Sequence, residues 1–207
     1  VKALYISHNF DVNVISMRGG ELKKDFESNC NKFCSLTDRN TTNAFINMYL
    51  IPRFIYVMLK NRNRKMVLIN SLANTRAILV SFLFRKRIIV YVRESEQMIS
   101  GTKLGFLRKK LLNLADEVIC VSHDTKNWVR EYINKKNKIT VVHNGIDTSA
   151  IKDKFLTRKN SEKIVVGIIG YLALRKGVDR LFDIASYILK ERDDIDFLVI
   201  GEITDSF

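Results

Sequence analysis

Three blocks decide the fold of this chain: ADEVICVSHDTK (115–126), KITVVHNGID (138–147) and GIIGYLALRKGVDRL (167–181). Each contains a run of β-branched and other apolar residues, which predicts a buried strand, and each runs into a polar or glycine-bearing turn. Residues 148–163 are polar and lack an apolar period, which is typical of an exposed connector. The sequence therefore predicts a first domain over 1–147, a linker over 148–163 and a second domain over 164–207.

Strands and helices alternate outward from these blocks. Strands are predicted at 1–7, 32–36, 66–70, 87–92, 117–121, 138–142, 164–169 and 196–200. Helices are predicted after Gly19-Gly20, over 73–84 and 104–114, after Ser122 as N-cap, and over 178–189. Residues 41–61 are predicted as two helices divided at Pro52, because proline disrupts a helix interior. The alternation predicts an α/β protein, with a Rossmann-like parallel sheet that carries helices on both faces and an incomplete second Rossmann-like domain.

The bulk composition excludes several classes of protein. A hydrophobic share of 46% over 207 residues is enough for a packed core. No apolar run reaches the roughly 20 residues that span a bilayer, and the start of the sequence has no signal-peptide pattern. Cys30, Cys34 and Cys120 form neither a disulfide framework nor a zinc motif, so a cytoplasmic protein is expected.

The chain is strongly basic, with a net charge of +13. The charge gathers at 60–65, 85–87, 108–110 and 135–138, which predicts attraction to an anionic partner. Nucleic acid, anionic lipid and a nucleotide-sugar all qualify, and any single cluster is equally well explained as a solvated helix end.

Open parallel sheets bind ligands at the carboxyl ends of their strands, so the turns there hold the candidate residues. Gly19 and Gly20 form either a plain turn or a place where backbone N–H groups approach a phosphate. Arg93-Glu94 is either a substrate contact or a surface ion pair or cap. In the turn 170–177, Arg175 and Lys176 lie beside glycines, a combination that suits a diphosphate.

Two histidines, His8 and His143, follow apolar strands at positions where a base could meet a substrate, although a structural role is favoured for His143. His123 is expected at the surface, at a helix start. His8 and Glu94 are the candidate catalytic residues. No serine-histidine-aspartate order, metal-ligand cluster or P-loop motif occurs, so hydrolase and P-loop functions have no support.

Taken together, the three opening blocks and Gly19-Gly20 resemble the retaining glycosyltransferases of the glycosyl transferases group 1 family. That resemblance implies the GT-B fold, in which an acceptor-side domain faces a donor-binding domain, and it implies no obligatory metal or other cofactor. It implies that Gly19 and Gly20 approach the donor diphosphate through their N–H groups. It also implies that Lys176 neutralises the diphosphate as it leaves.

The resemblance further implies transfer of a sugar from a nucleotide-sugar to a saccharide or lipid-linked acceptor, in polysaccharide biosynthesis for the cell surface. With the basic clusters, it predicts a peripheral position at the inner face of an anionic membrane and makes nucleic acid a poor candidate partner. The alternative is a non-catalytic Rossmann-like protein that binds anions or nucleic acid.

This sequence departs from the family pattern at two places. Tyr171 stands where the family has an arginine, and Arg175 is the proposed substitute. The E-x7-E motif of the family lies beyond Phe207, so we expect a fragment that is inactive alone and self-associates through its incomplete second domain.

Overall fold

The computed structural model describes residues 10–17, 19–20, 22–37, 44–101, 105–134, 138–146, 148 and 163–202. The predicted strand over 1–7 and the candidate His8 lie outside these residues, as does most of the predicted linker. The chain divides into two compact units, Val1–Gly145 and Ile146–Phe207.

The first unit alternates strands and helices. Its strands are β1 (Asn13–Ser16), β2 (Lys32–Ser35), β3 (Met66–Ile69), β4 (Arg87–Val92), β5 (Glu117–Cys120) and β6 (Ile139–Val141). Its helices are α1 (Lys23–Ser28), α2 (Ala44–Lys60), α3 (Thr75–Leu83), α4 (Glu96–Ser100), α5 (Gly105–Leu111) and α6 (His123–Arg130), and α5 runs into a 3₁₀ turn at Leu112–Leu114.

These strands form two parallel sheets, β1-β2 and β3-β4-β5-β6. The central strand β4 buries alternate side chains, Ile88, Val90 and Val92, as expected for a strand with one fully covered face. Around this face, helix and strand side chains form the main core, which includes Leu72, Ile78, Leu112, Val118 and Trp128. The predicted parallel α/β architecture is confirmed.

A second core cluster lies under α2, where Leu50, Phe54 and Met58 pack with Leu36 and Val80. The prediction of two helices divided at Pro52 is wrong, because α2 is one helix with Pro52 inside it. Packing of its apolar face explains why the helix persists, since tertiary contacts stabilise a helix more than local propensity does.

The second unit contains β7 (Ile164–Ile169), a 3₁₀ turn at Leu174–Lys176, α7 (Val178–Ile188) and β8 (Ile195–Ile200). The two strands pair in parallel over their whole length. Gly201 is required where they end, because a Cβ added there would lie 1.7 Å from the carbonyl oxygen of Gly170. Both strands keep large apolar side chains exposed, among them Ile169 at 81% and Leu198 at 46%.

Two elements, β1 and α4, were not predicted. Apart from the two helices divided at Pro52, the elements that the sequence predicted within the described residues are present, with ends that differ by at most a few residues. No helix among those residues combines the length and the apolar character that a membrane span requires.

Candidate functional site

The carboxyl edge of the four-stranded sheet carries the candidate Glu94, just after β4. Its carboxylate accepts a hydrogen bond from the Ser71 hydroxyl, and it also accepts from the backbone N–H groups of Leu72 and Arg93, at 3.4 and 3.0 Å. Glu94 therefore ties the loop after β3 to the loop after β4. The Arg93 side chain beside it is exposed.

The end of β4 and the next two strands bring more polar groups to the same edge. The Tyr91 hydroxyl lies 3.0 Å from Asn144 Oδ1, and His143 Nδ1 lies 3.0 Å from the Val121 carbonyl oxygen. Since a carbonyl only accepts, Nδ1 carries the proton in this contact and Nε2 of a neutral ring is left as an acceptor. The rings of His143 and His123 lie 5.8 Å apart, and both side chains are exposed. This edge therefore gathers polar side chains from β4 and from the segments after β5 and β6.

A buried lysine holds the short helix α4, which begins two residues after Glu94. Lys109 Nζ lies 2.7 Å from Glu96 Oε1 and 2.9 Å from the Tyr132 hydroxyl, and it sits 4.2 Å from the centre of the Tyr132 ring. Burial lowers the pKa of Lys109, but its hydrogen bonds to Glu96 and Tyr132 outweigh burial and raise the pKa above the ordinary value. The hydrogen bond from Lys109, followed by one that the Tyr132 hydroxyl donates to Glu96 Oε1 at 3.1 Å, lowers the pKa of Glu96.

Gly19 and Gly20 lie beyond β1, in the first unit. The Gly19 N–H donates to the Thr37 carbonyl oxygen at 3.0 Å, whereas a Cβ added to Gly20 would meet nothing within 4 Å. The space beside Gly20 is therefore open to a ligand. The groove here is lined by Ser16, Gly19, Gly20, Leu22, Lys23, Phe26 and Phe33.

Arg175 and Lys176 lie in the second unit, in the 3₁₀ turn between β7 and α7. Gly177 follows with a φ of 76°, in the left-handed region that glycine favours, and it is the N-cap of α7 without any side chain to cap the helix. The groove at this helix start is lined by Lys176 and Arg180 together with Leu174, Gly177 and Asp179. Free N–H groups, the helix dipole and two cations make this a setting for an anion.

Sequence reasoning missed Ser71, Tyr91 and Arg180. Ser71 and Tyr91 have partners that are distant in sequence, so no local pattern indicates them. Arg180 lies four residues after Lys176, a spacing that places side chains on neighbouring positions of a helix and that could have indicated it.

The cysteines and acidic residues do not assemble a metal site among the described residues, where no three potential ligands lie together. Burial raises the pKa of the Cys120 thiol to about 11, so at neutral pH it is protonated and is neither a nucleophile nor a metal ligand.

The profile of Glycosyltransferase Family 4 matches residues 6–150, which is more than half of the chain. The chain belongs to Glycosyltransferase Family 4. The matched region contains both sheets of the first unit and the whole carboxyl edge described above. The family is one of glycosyltransferases, which does not favour the alternative of a non-catalytic binding protein.

Solved structures show the same fold at low sequence identity. Anabaena Alr3699/HepE in complex with UDP is 14% identical with a TM-score of 0.68, over 98% of this chain and 57% of that one. A glycosyltransferase from Rickettsia africae is 13% identical with a TM-score of 0.58, over 97% and 62%. The lipopolysaccharide outer core galactosyltransferase WaaB is 15% identical with a TM-score of 0.53, over 85% and 47%.

The fold is therefore that of the GT-B glycosyltransferases, and the predicted fold class is confirmed. The chain spans about three fifths of the length of the Anabaena structures. No curated protein matches the chain.

Proposed function

We propose that this protein transfers a sugar from a nucleotide-sugar to a saccharide or lipid-linked acceptor with retention at the sugar carbon, as in the group 1 glycosyltransferases. The family match over residues 6–150 carries this proposal. The nucleotide proposed is uridine diphosphate, because Anabaena Alr3699/HepE has been solved in complex with UDP and with UDP-glucose. We propose that the protein acts in the cytoplasm, at the inner face of the membrane, in the synthesis of a polysaccharide for the cell surface.

In the proposed reaction the bond between the sugar carbon and the diphosphate oxygen breaks, and the diphosphate leaves with the electron pair. An acceptor hydroxyl oxygen bonds to the same carbon, and its proton passes to a base, for which His8 is the candidate. Lys176, with Arg175 next to it in sequence, would neutralise the charge that develops there. The free N–H groups at the start of α7 would add donors to the same anion. Because these groups supply positive charge, we propose that no resident metal or cofactor is required.

On the acceptor side, we assign the carboxyl edge of the four-stranded sheet. Glu94 is engaged by Ser71 and by two backbone N–H groups, so its proposed role is to hold the loop that positions Arg93 against the acceptor. The exposed rings of His123 and His143 are proposed to contact acceptor hydroxyls. His8 remains a candidate base.

Titration with UDP, followed by saturation-transfer NMR, tests the donor half of this proposal. Lys176→Ala should weaken UDP binding about tenfold or more, since a charge-assisted hydrogen bond contributes roughly 1.5–3 kcal/mol. Lys190→Ala, which removes an exposed lysine after α7, is the matched control and should leave the affinity unchanged. Equal affinities for wild type and Lys176→Ala would contradict the assignment.

Gly20 offers a second variant, because its surroundings are open and a side chain should not disturb folding. Gly20→Val should fold normally and yet obstruct the approach of a diphosphate. UDP binding that is unaffected by Gly20→Val would remove Gly20 from the donor site. A panel of nucleotide-sugars, assayed for binding, then identifies the donor.

A further inference from the structure

The amino-terminal edge of the four-stranded sheet, opposite the candidate acceptor site, gathers basic residues that are scattered in the sequence. Helix α2 ends at Lys60 just before β3, and α3 ends at Leu83 just before β4. The two strands are parallel and begin side by side, with Met66 paired to Arg87. The turns 61–65 and 84–86 are therefore neighbours.

Direct contacts confirm that these turns form one surface. Lys86 is buried and its Nζ donates to the carbonyl oxygens of Arg62 and Arg64, both at 2.6 Å. The Arg87 N–H donates to the Lys65 carbonyl oxygen at 2.9 Å. Lys86 thus fastens the turn after α2 to the turn after α3, and the side chains of both turns share one edge.

Part of the positive charge at this edge is compensated within the protein. Arg64 is paired with Asp11, and Arg87 Nη2 lies 3.6 Å from Glu117 Oε2. The side chains of Arg62, Lys65 and Arg85 are exposed. Arg85 has a φ of 51°, the left-handed conformation that lets the chain turn sharply from α3 into β4.

Large apolar side chains are exposed beside these cations, in the last turns of the two helices. Leu83 is 73% exposed, Leu59 is 53% exposed and Phe82 is 52% exposed. The exposed surface of these side chains gains nothing from folding, since water still covers it. An interfacial partner would cover them while it also meets the cations.

We propose that this basic edge, formed by residues 59–65 and 82–87, docks the protein on an anionic phospholipid bilayer. The cations alone would fit any polyanion, but the combination with Leu59, Phe82 and Leu83 fits the boundary between headgroups and acyl chains. The inference deepens the proposed peripheral position at a membrane by naming the surface, and its test involves no sugar transfer.

This placement has a consequence for the acceptor site. Helices and turns at the amino-terminal edge face the bilayer, so Glu94 and His143 at the carboxyl edge face away from it. Six residues of β4 separate the two edges by about 20 Å. Docking therefore leaves the acceptor site uncovered and favours an acceptor whose reactive end stands off from the lipid surface.

The test is co-sedimentation of the whole chain with vesicles of phosphatidylcholine, with and without phosphatidylglycerol, at several salt concentrations. Wild type should bind the anionic vesicles, and salt should weaken the binding. Arg62→Glu with Lys65→Glu should weaken it about 30-fold or more, since each cation near an anionic surface contributes roughly fivefold or more to partitioning. Leu83→Gln should also weaken it, without changing the salt dependence.

The matched control is Lys24→Glu with Lys190→Glu, which changes the net charge equally at exposed residues elsewhere. An equal loss in this control, or equal binding of wild type to neutral vesicles, would overturn the proposal.

Phe106 is 67% exposed on α5, where Lys110 Nζ lies 4.5 Å from its ring centre. Loss of binding in Phe106→Gln but not in Leu83→Gln would move the docking surface to α5 and overturn the assignment.

Duplex DNA serves as the competing polyanion. If DNA binds more tightly than anionic vesicles and Leu83→Gln has no effect on either, the basic edge is a nucleic-acid surface and the proposal is wrong. The altered side chains are all exposed, so circular dichroism of each variant should match that of wild type and show that lost binding is not lost folding.

Discussion

Lys109 keeps its charge although its side chain is only 6% exposed, because Glu96 and Tyr132 both accept hydrogen bonds from it. Burying an ammonium group is costly unless its hydrogen bonds are satisfied. The contacts of Lys109 with Glu96 and Tyr132 also join α4 to α5 and to the segment after α6. The position of the loop after β4, which runs into α4, therefore depends on them. Removing the charge of Lys109 or of Glu96 should therefore lower the stability of the first unit by more than the loss of one surface ion pair would.

The pH dependence of this pair has a definite sign. Folding lowers the pKa of Glu96, so the folded protein binds that proton less tightly than the unfolded chain. The stabilisation is therefore present above the ordinary glutamate pKa and is lost as the pH falls through the lowered pKa. Urea unfolding of wild type and Glu96→Gln should show a difference at neutral pH that shrinks in acid. Glu131→Gln, at an exposed glutamate, is the control, and a difference that grows in acid would contradict the assignment.

At the scale of elements, α2 is notable because Pro52 lies in its ninth position. Proline lacks the N–H that would bond to the carbonyl four residues earlier, and its ring crowds that carbonyl. We expect Pro52→Ala to raise the free energy of unfolding by up to about 3 kcal/mol, and Pro52→Gly to raise it by about 1 kcal/mol less. Denaturant unfolding measures both. A loss of stability in Pro52→Ala would favour two helices divided at this residue, as the sequence predicted.

The elements that the sequence predicted correctly are those with strong local signals. Ser122 was predicted as an N-cap, and the Thr125 N–H donates to its hydroxyl at 3.0 Å. The strands β4 and β7 were predicted with the ends that the structure gives them. In contrast, β1 (NVIS) and α4 (EQMIS) each contain only two apolar residues, too few for an apolar period to show.

Tertiary contacts explain what the sequence did not predict. Two of the basic clusters were interpreted as exposed, yet the middle lysine of each, Lys86 and Lys109, is buried and hydrogen-bonded. For the candidate site, the positions after β4 and β7 followed from the rule that ligands bind at strand ends. The engagement of Glu94 by Ser71, 23 residues away, could not be predicted because it depends on how two loops meet.

At the scale of the whole molecule, the second unit exposes apolar strands. Ile164, Ile169, Leu198 and Ile200 are between 45% and 81% exposed on a two-stranded sheet. Unpaired strand edges and open apolar faces promote association. We expect this 207-residue chain to self-associate as its concentration rises, which sedimentation velocity measures.

The variant that tests self-association is Ile169→Thr with Leu198→Thr, which keeps β-forming residues but lowers the apolar area. It should shift the chain toward monomer. Leu83→Thr, at an equally apolar and exposed position of the first unit, should not. A chain that stays monomeric at every concentration would rule out association through β7 and β8.

The order of strands in the larger sheet, β3-β4-β5-β6, is also their order along the chain. On a ribosome, each strand after β3 would emerge when its neighbour in the sheet has already been synthesised, and the sheet could grow at one edge as synthesis proceeds. Every crossover is local, through a helix that has just left the exit tunnel. In the four-stranded sheet, no strand has to expose its apolar side chains until a partner strand far along the chain has been synthesised.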